Sequence, residues 1–256
     1  MGAFLRLLVL IVLSAGPLSA QVTTPPLITD RPDFTESASA VAPGHVQLEA
    51  GYTFTRSDDD INEHSLGEAL LRIGIARRIE GRVGASSTWV EQPGDDRSGM
   101  DDPSIGVKIV LTEGAGQPSW HPAVAILAAT TLPVGADEVT EDAWQPGITG
   151  AFAWDLSDRL GLGANVGYTY GSEDDVRFDQ GSASMALGIG ITQRTGAYVE
   201  AFTIFPSGDD IGDDVTLNGG ITFLVNNSFQ LDARVGAGLT DDAPDVFFGF
   251  GVARRW

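Results

Sequence analysis

The sequence predicts an all-β protein: a transmembrane antiparallel up-and-down β-barrel of about twelve strands behind a cleaved signal peptide. Three observations carry this. From residue 45 onward, stretches of about ten residues alternate apolar with polar or glycine, the length and period of strands that meet lipid on one face and a lumen on the other. The connections alternate between acidic loops and short turns. The sequence closes on Val246 to Trp256, where Phe248, Phe250, Val252 and Trp256 share one side of an extended strand. A terminal strand of this kind, ending on an aromatic, looks like the signal by which outer-membrane barrels are recognised for insertion. Those four residues are therefore assigned as an assembly signal.

The amino terminus comes first in the chain. Arg6 precedes an apolar run from Leu7 to Leu13, then Ser14, Gly16 and Pro17, and Leu18-Ser19-Ala20 before Gln21. This pattern reads as a signal peptide over residues 1–20, cleaved after Ala20. The run falls far short of the roughly 18 apolar residues that a membrane-spanning helix requires. Residues 21–43 form a separate amino-terminal segment, and residues 44–256 the barrel.

The first strand sets Val46, Leu48, Ala50, Tyr52 and Phe54 against His45, Gln47, Glu49, Gly51, Thr53 and Thr55. The second, over 66–76, opposes Leu71, Ile73 and Ile75 to Glu68, Arg72 and Gly74. The third (82–90) and fourth (103–111) place Val83, Trp89, Ile105 and Val107 on one face and Arg82, Gly84, Gly106 and Lys108 on the other. Further strands follow near 123–132, 147–156, 160–170, 180–191, 197–205, 215–225, 229–239 and 246–256.

Connections after the odd-numbered strands hold 24 of the 35 acidic residues, Asp58-Asp59-Asp60 and Asp209-Asp210 among them. The even-numbered ones are mostly tight, as at Arg77-Arg78 and Asn226-Asn227-Ser228. An amino terminus in the periplasm then puts the acidic loops outside the cell and returns the last strand to the periplasm. Aromatics fall at both rims: Tyr52, Phe54, Trp89, Tyr168, Tyr170 and Phe205 outside, Trp154, Phe223, Phe229 and Trp256 inside. A soluble barrel with its apolar face inward also alternates. Ten glycines on the polar face, from Gly51 to Gly238, argue against it, because a soluble core is filled by large side chains.

The chain of 256 residues has no cysteine, which removes disulfides, thiol nucleophiles and cysteine-ligated metals. A net charge of −20 argues against nucleic acid as a partner. No cofactor is expected, and no metal site, since no acidic loop has calcium-loop spacing. No G-x-S-x-G occurs, and His45, His64 and His121 are scattered, with His64 expected in an outer loop; the chain does not read as an enzyme.

Ahead of the first strand lies Thr29-Asp30-Arg31-Pro32-Asp33-Phe34-Thr35-Glu36-Ser37, followed by Gly44 and Gln47-Leu48-Glu49-Ala50-Gly51-Tyr52. Further on come Ser104-Ile105-Gly106-Val107-Lys108, Ala125 to Leu132 with Pro133-Val134-Gly135, and Tyr198-Val199-Glu200-Ala201. The amino-terminal motif resembles that of the outer-membrane transporter family associated with the phenol-degradation meta-pathway. The resemblance implies an outer-membrane barrel that passes small molecules, apolar or aromatic ones included.

Lumen-facing charges carry both signs: Glu49, Glu68, Glu200 and Asp232 against Arg72, Arg82, Lys108 and Arg234. Either they form a constriction that orients a permeant, or a salt-bridge lattice that ties strands together; their near-balance predicts little ion selectivity inside the barrel. Asp30, Arg31, Asp33 and Glu36 fit either a small plug docked among those charges or a periplasmic tail. The functional expectation is a passive channel for small solutes in the bacterial outer membrane. The alternative is a non-conducting structural or surface-interaction barrel with acidic extracellular loops. Expected partners are outer-membrane lipid and lipopolysaccharide, the barrel-assembly machinery and an unspecified small solute.

Overall fold

The computed structural model describes residues 25–57, 61–115, 120–173, 176–206 and 213–256. The signal-peptide assignment, with Asp58-Asp59-Asp60, Asp174, Asp175, Asp209 and Asp210 of the acidic loops, lies outside the described residues. No described helix is long and apolar enough to cross a membrane.

The described elements are strands: β1 (Val46–Ser57), β2 (Ile61–Ala76), β3 (Ile79–Glu91), β4 (Arg97–Met100), β5 (Ser104–Thr112), β6 (Ala123–Thr131), β7 (Gly147–Asp155), β8 (Leu160–Glu173), β9 (Val176–Gly190), β10 (Thr195–Pro206), β11 (Asp214–Asn226), β12 (Phe229–Gly238) and β13 (Val246–Arg255). Each long strand pairs antiparallel with the next, and β13 returns to β1, so twelve strands close into a barrel. Short β4 is an extra flap on the outer end of β3, from Val90↔Arg97 to Ser87↔Met100. Closure pairs each of the twelve long strands on both sides, which is what allows strands to satisfy their N–H and C=O groups in hydrocarbon. The closing seam runs from Arg56↔Val246 to Gln47↔Arg255, and Trp256 adds a final pair of backbone bonds with Val46, at 2.8 and 3.2 Å.

The barrel is turned inside out relative to a soluble protein. Ile75, Val166, Val235 and Phe250 are about 60 % exposed, at 63, 61, 58 and 58 %, whereas Arg72, Glu49, Glu80 and Lys108 are at most 1 % exposed. Aromatics crowd the outer wall across β13, β1, β2 and β3, where Phe250 meets Tyr52, Phe248 meets Phe54, and His64 lies on Trp89 at 5.1 Å. His64 therefore belongs to β2, not to an outer loop: the strand extends to Ile61, and Tyr52 Oη lies 2.8 Å from His64 Nδ1. The acid-rich stretch around Glu63 hides that extension in the sequence.

One irregularity matters for the lumen. At Gly67 (φ +87°) and Glu68 (φ +27°), β2 slips register against both neighbours. The bulge changes which face each side chain takes, so that His64 and Leu66 face out while Glu68 and Arg72 face in.

Candidate functional site

Residues 25–43 enter the barrel from the end that holds the carboxyl terminus, climb the β11–β13 side, cross the lumen, and descend along β5–β7 to β1. At the entry, Leu27 N–H donates to Asn227 O at 2.9 Å. At the apex, Arg234 donates to Pro32 O at 2.9 Å, and Phe34 stacks on lumen-facing Phe202 at 4.4 Å. On the descent, Val41 N–H donates to Glu80 and Gly44 N–H to Gly74 O.

A strand inside a barrel has no ladder of its own, so its main-chain donors need other acceptors. Three lumen glutamates supply them. Glu49 accepts from the N–H groups of Asp30 and Arg31 at 3.0 and 2.9 Å, Glu200 from Phe34 and Thr35 at 2.9 and 2.7 Å, and Glu80 from Val41 at 2.7 Å. Asn165 serves Glu36 N–H at 2.6 Å and returns its amide to the Glu36 carbonyl at 3.1 Å.

Asp30 is the segment's main charged anchor. Its carboxylate meets Arg82 at 2.6 Å, Lys108 at 2.9 Å and Arg72 at 3.1 Å, with 8 % of the residue exposed. Arg72 also pairs with Glu49 and Glu80 at 2.9 and 2.8 Å, and Arg82 with Glu36 at 2.8 Å. Each buried charge here has at least one partner of opposite sign, and Asp30, Arg72, Arg82 and Glu80 have several, as burial in low dielectric demands.

Glycine rows form the track. A Cβ on Gly51 or Gly251 would land on the Arg31 guanidinium, which lies between Glu68 and Asp232. A Cβ on Gly74 would collide with the Ala42 carbonyl. Elsewhere flat rings fill the space: Phe178 over Gly171, Tyr198 over Gly220 and Phe247 over Gly236. Against β5–β7 the segment is apolar, with Ala38 on Val110, Ala125, Leu127 and Ala151 in a small dry core.

The structure thus gathers Glu49, Glu68, Arg72, Arg82, Lys108, Glu200, Asp232 and Arg234 around one lumen, and brings Asp30, Arg31 and Glu36 into contact with them. Asp33 is the exception among the segment's charged residues, forming no ion pair among the described residues. Sequence reading missed Glu80, which sits one residue inside β3 where a longer turn was expected. It also missed Asn165, Asn218 and Tyr198, uncharged residues on the lumen face. Phe248, Phe250 and Val252 lie on the lipid face of β13 with Trp256 beyond its end, while Phe247 faces inward. Around the segment, Glu80 and Asp33 tip the charge toward acid: Asp30, Asp33, Glu36, Glu49, Glu68, Glu80, Glu200 and Asp232 face Arg31, Arg72, Arg82, Lys108 and Arg234.

A closed antiparallel barrel with an apolar exterior, aromatic rims and a charged lumen defines a bacterial outer-membrane β-barrel. Residues 29–256 match the family described as the MetA pathway of phenol degradation, and the chain belongs to that family. Among solved structures it is similar to an outer membrane channel from Pseudomonas putida F1, at 13 % identity and a TM-score of 0.66 over 86 % of this chain and 98 % of that one. It is also similar to the NanC porin (10 % identity, TM-score 0.57, 82 % and 98 % covered) and the KdgM porin (10 %, 0.51, 81 % and 98 %). At these identities the likeness is one of fold. Comparison with curated proteins found no match.

Proposed function

We propose that this protein is a passive outer-membrane channel for small solutes, apolar or aromatic ones among them, with residues 21–43 acting as a plug. The carrying observation is the interior: a polar, glycine-lined lumen occupied by one docked chain segment in place of a packed core. The porins and the channel that share the fold support this reading, as does the family. His64 stacks on Trp89 on the outer wall, turned away from the lumen, and the similar structures are channels and porins, which supports a non-catalytic reading. The acidic loops would meet lipopolysaccharide through ambient divalent ions, and the β13 signal would engage the barrel-assembly machinery.

Planar-bilayer recording tests the reading. Steps of current that widen on deletion of residues 21–43 support a plugged pore. One observation favours a second reading: the dense lattice of Arg72, Arg82 and Lys108 with four carboxylates resembles a permanent structural seal. Silence in both forms, with barrels that still shift on unboiled gels, would establish that closed structural barrel instead.

A further inference from the structure

The two sides of the segment are not equivalent. Toward β1–β5, buried charges are bonded several times over. Toward β10–β12, Glu200 is held by Phe34, Thr35 and the Asn218 amide, but several groups around it keep unbonded atoms. Of the eight buried side-chain polar atoms without a hydrogen-bond partner among the described residues, six lie on this side: Arg31 Nε, Tyr198 Oη, Asn218 Oδ1, both Asp232 carboxylate oxygens and Arg234 Nε. Asp232, Tyr198 and Asn218 are each more than nine-tenths buried, at 7, 7 and 5 % exposure. Arg31 stands 3.6 Å from Asp232, beyond hydrogen-bond length.

The register shows how these groups are stacked. Asp232 pairs with Thr222, Arg234 with Gly220, and Gly236 with Asn218, so the orphaned groups climb the wall in three successive inward-facing rows. The Tyr198 ring lies across Gly220, in the middle row. At the foot of the series is a cavity of about 290 Å³, lined by Arg31, Asp33, Tyr198, Thr222 and Gln230. Phe247 bounds the top, with its ring on Gly236 and the Arg234 guanidinium 5.4 Å away. A larger cavity of about 480 Å³ lies at the foot of β5–β7, but it ends on Ala38 and Val110, beneath the fully buried Ala125 and Ala151.

Buried polar groups are almost always satisfied by protein or by water. A vertical series of them with no protein partner marks a wet seam, whereas the alanine contact on the opposite side is dry. We propose that, in the channel described above, permeation follows this seam beside the docked segment, along the β10–β12 wall, and that the seam prefers small hydrated cations. The charged groups facing it are Asp33, Glu200 and Asp232, with Glu68 of β2 reaching Arg31 and Arg234 from the neighbouring wall, against Arg31 and Arg234: an acidic excess in a low-dielectric wall that attracts cations. Among the described residues no three acidic or histidine side chains converge as a metal site, so the seam passes a hydrated cation and does not chelate one.

The absence of native cysteine makes the test clean. Thr222→Cys places a thiol in the seam cavity and Ala123→Cys one in the blind cavity; both full-length variants are recorded in bilayers with potassium chloride. A cationic methanethiosulfonate is expected to block current at position 222 and leave it unchanged at 123, and to react faster at 222 than an anionic one. In a salt gradient the reversal potential should favour potassium, and Asp232→Asn should move it toward zero. Block at 123 alone, or an anion-favouring potential, overturns the seam.

A lock separates this proposal from the plug. Thr35 Oγ1 and Ser184 Oγ lie 2.8 Å apart, so Thr35→Cys with Ser184→Cys can bridge the segment to β9. Current that persists in the oxidised form supports the seam. Current that vanishes on oxidation and returns on reduction sinks the seam and leaves the plugged pore standing, as does a silent full-length protein whose deletion form conducts. Silence in every form, deletion of residues 21–43 included, sinks the pore itself.

Discussion

Replacing Asp30 by alanine should release the segment while leaving the barrel whole. Its carboxylate is shared by Arg82, Lys108 and Arg72 at 2.6, 2.9 and 3.1 Å, and it accepts from Ser37 N–H at 2.9 Å, all within a buried cluster. The three cations are not left equally exposed by its loss. Arg72 keeps Glu49 and Glu80, and Arg82 keeps Glu36 and Glu80, but Lys108 keeps one carboxylate, Glu36 at 3.6 Å, and a long hydrogen bond to Ser37 Oγ at 3.3 Å. Removing one partner of a buried charge group costs about 3–5 kcal/mol, because the remaining charge is left desolvated and uncompensated. At about 1.4 kcal/mol per tenfold change, the undocked population should rise roughly a hundredfold to a few thousandfold. Phe34, stacked on Phe202 when docked, then becomes a chymotrypsin site. The expected result is rapid cleavage after Phe34 in Asp30→Ala, slow cleavage in the native protein, and an unchanged heat-dependent gel shift in both. Equal protection of the two proteins would refute the claim that this carboxylate holds the segment.

Gly74→Ala should loosen the descending arm, since the new methyl collides with backbone at Ala42 and not with a movable side-chain tip; overpacking of this kind costs about 1–3 kcal/mol. Proteolysis between Val41 and His45 reads it. Glu200→Gln replaces a carboxylate that serves Phe34 N–H, Thr35 N–H and the Asn218 amide, and should cost docking about 1–2 kcal/mol, seen as faster cleavage at Phe34. Trp256→Ala should lower the yield of membrane-inserted barrel while sparing the stability of barrels already made; unchanged yield would count against the assembly signal. Glu113→Gln is the control. Hydrogen bonds from Arg77 hold its carboxyl below the usual range, but the pair is exposed in a connection, so melting temperature and proteolysis should not change.

Strand positions were legible because lipid and lumen impose opposite chemistry on alternate residues, and that period survives in the sequence over most of the twelve barrel strands. Where it is broken, reading failed. The bulge at Gly67 and Glu68 interrupts the period in β2, so its first five residues, Ile61 to Ser65 with His64 among them, looked like loop. Glu80 was lost because the two-residue turn at Arg77-Arg78 is tighter than the surrounding polar residues suggest. The lumen charges stood out as charges on a glycine face. What could not be read was their use: Glu49, Glu80 and Glu200 hold main-chain N–H groups, and a sequence does not show where a backbone donor points.

That use follows from a packing problem posed by strand number. About eight strands enclose a lumen that side chains can fill, and twelve enclose more. Filling the excess with large apolar groups would create a core competing with lipid for the same residues, which the outward-facing Ile, Val and Phe rule out. A single extended segment fills part of the space and brings a row of unpaired N–H groups with it. Carboxylates on the wall answer those donors, arginines and a lysine answer the carboxylates, and glycines make room where the segment comes close. This solution is nearly complete on the β1–β7 side, where among the described residues only one Asp102 carboxylate oxygen is left without a partner. On the β10–β12 side it is incomplete, with Asp232, Tyr198 and Asn218 facing the segment but not bonded to it at the atoms named above. A structural seal would gain by satisfying both sides, because each orphaned buried group costs about 1–3 kcal/mol. A channel gains from leaving one side wet.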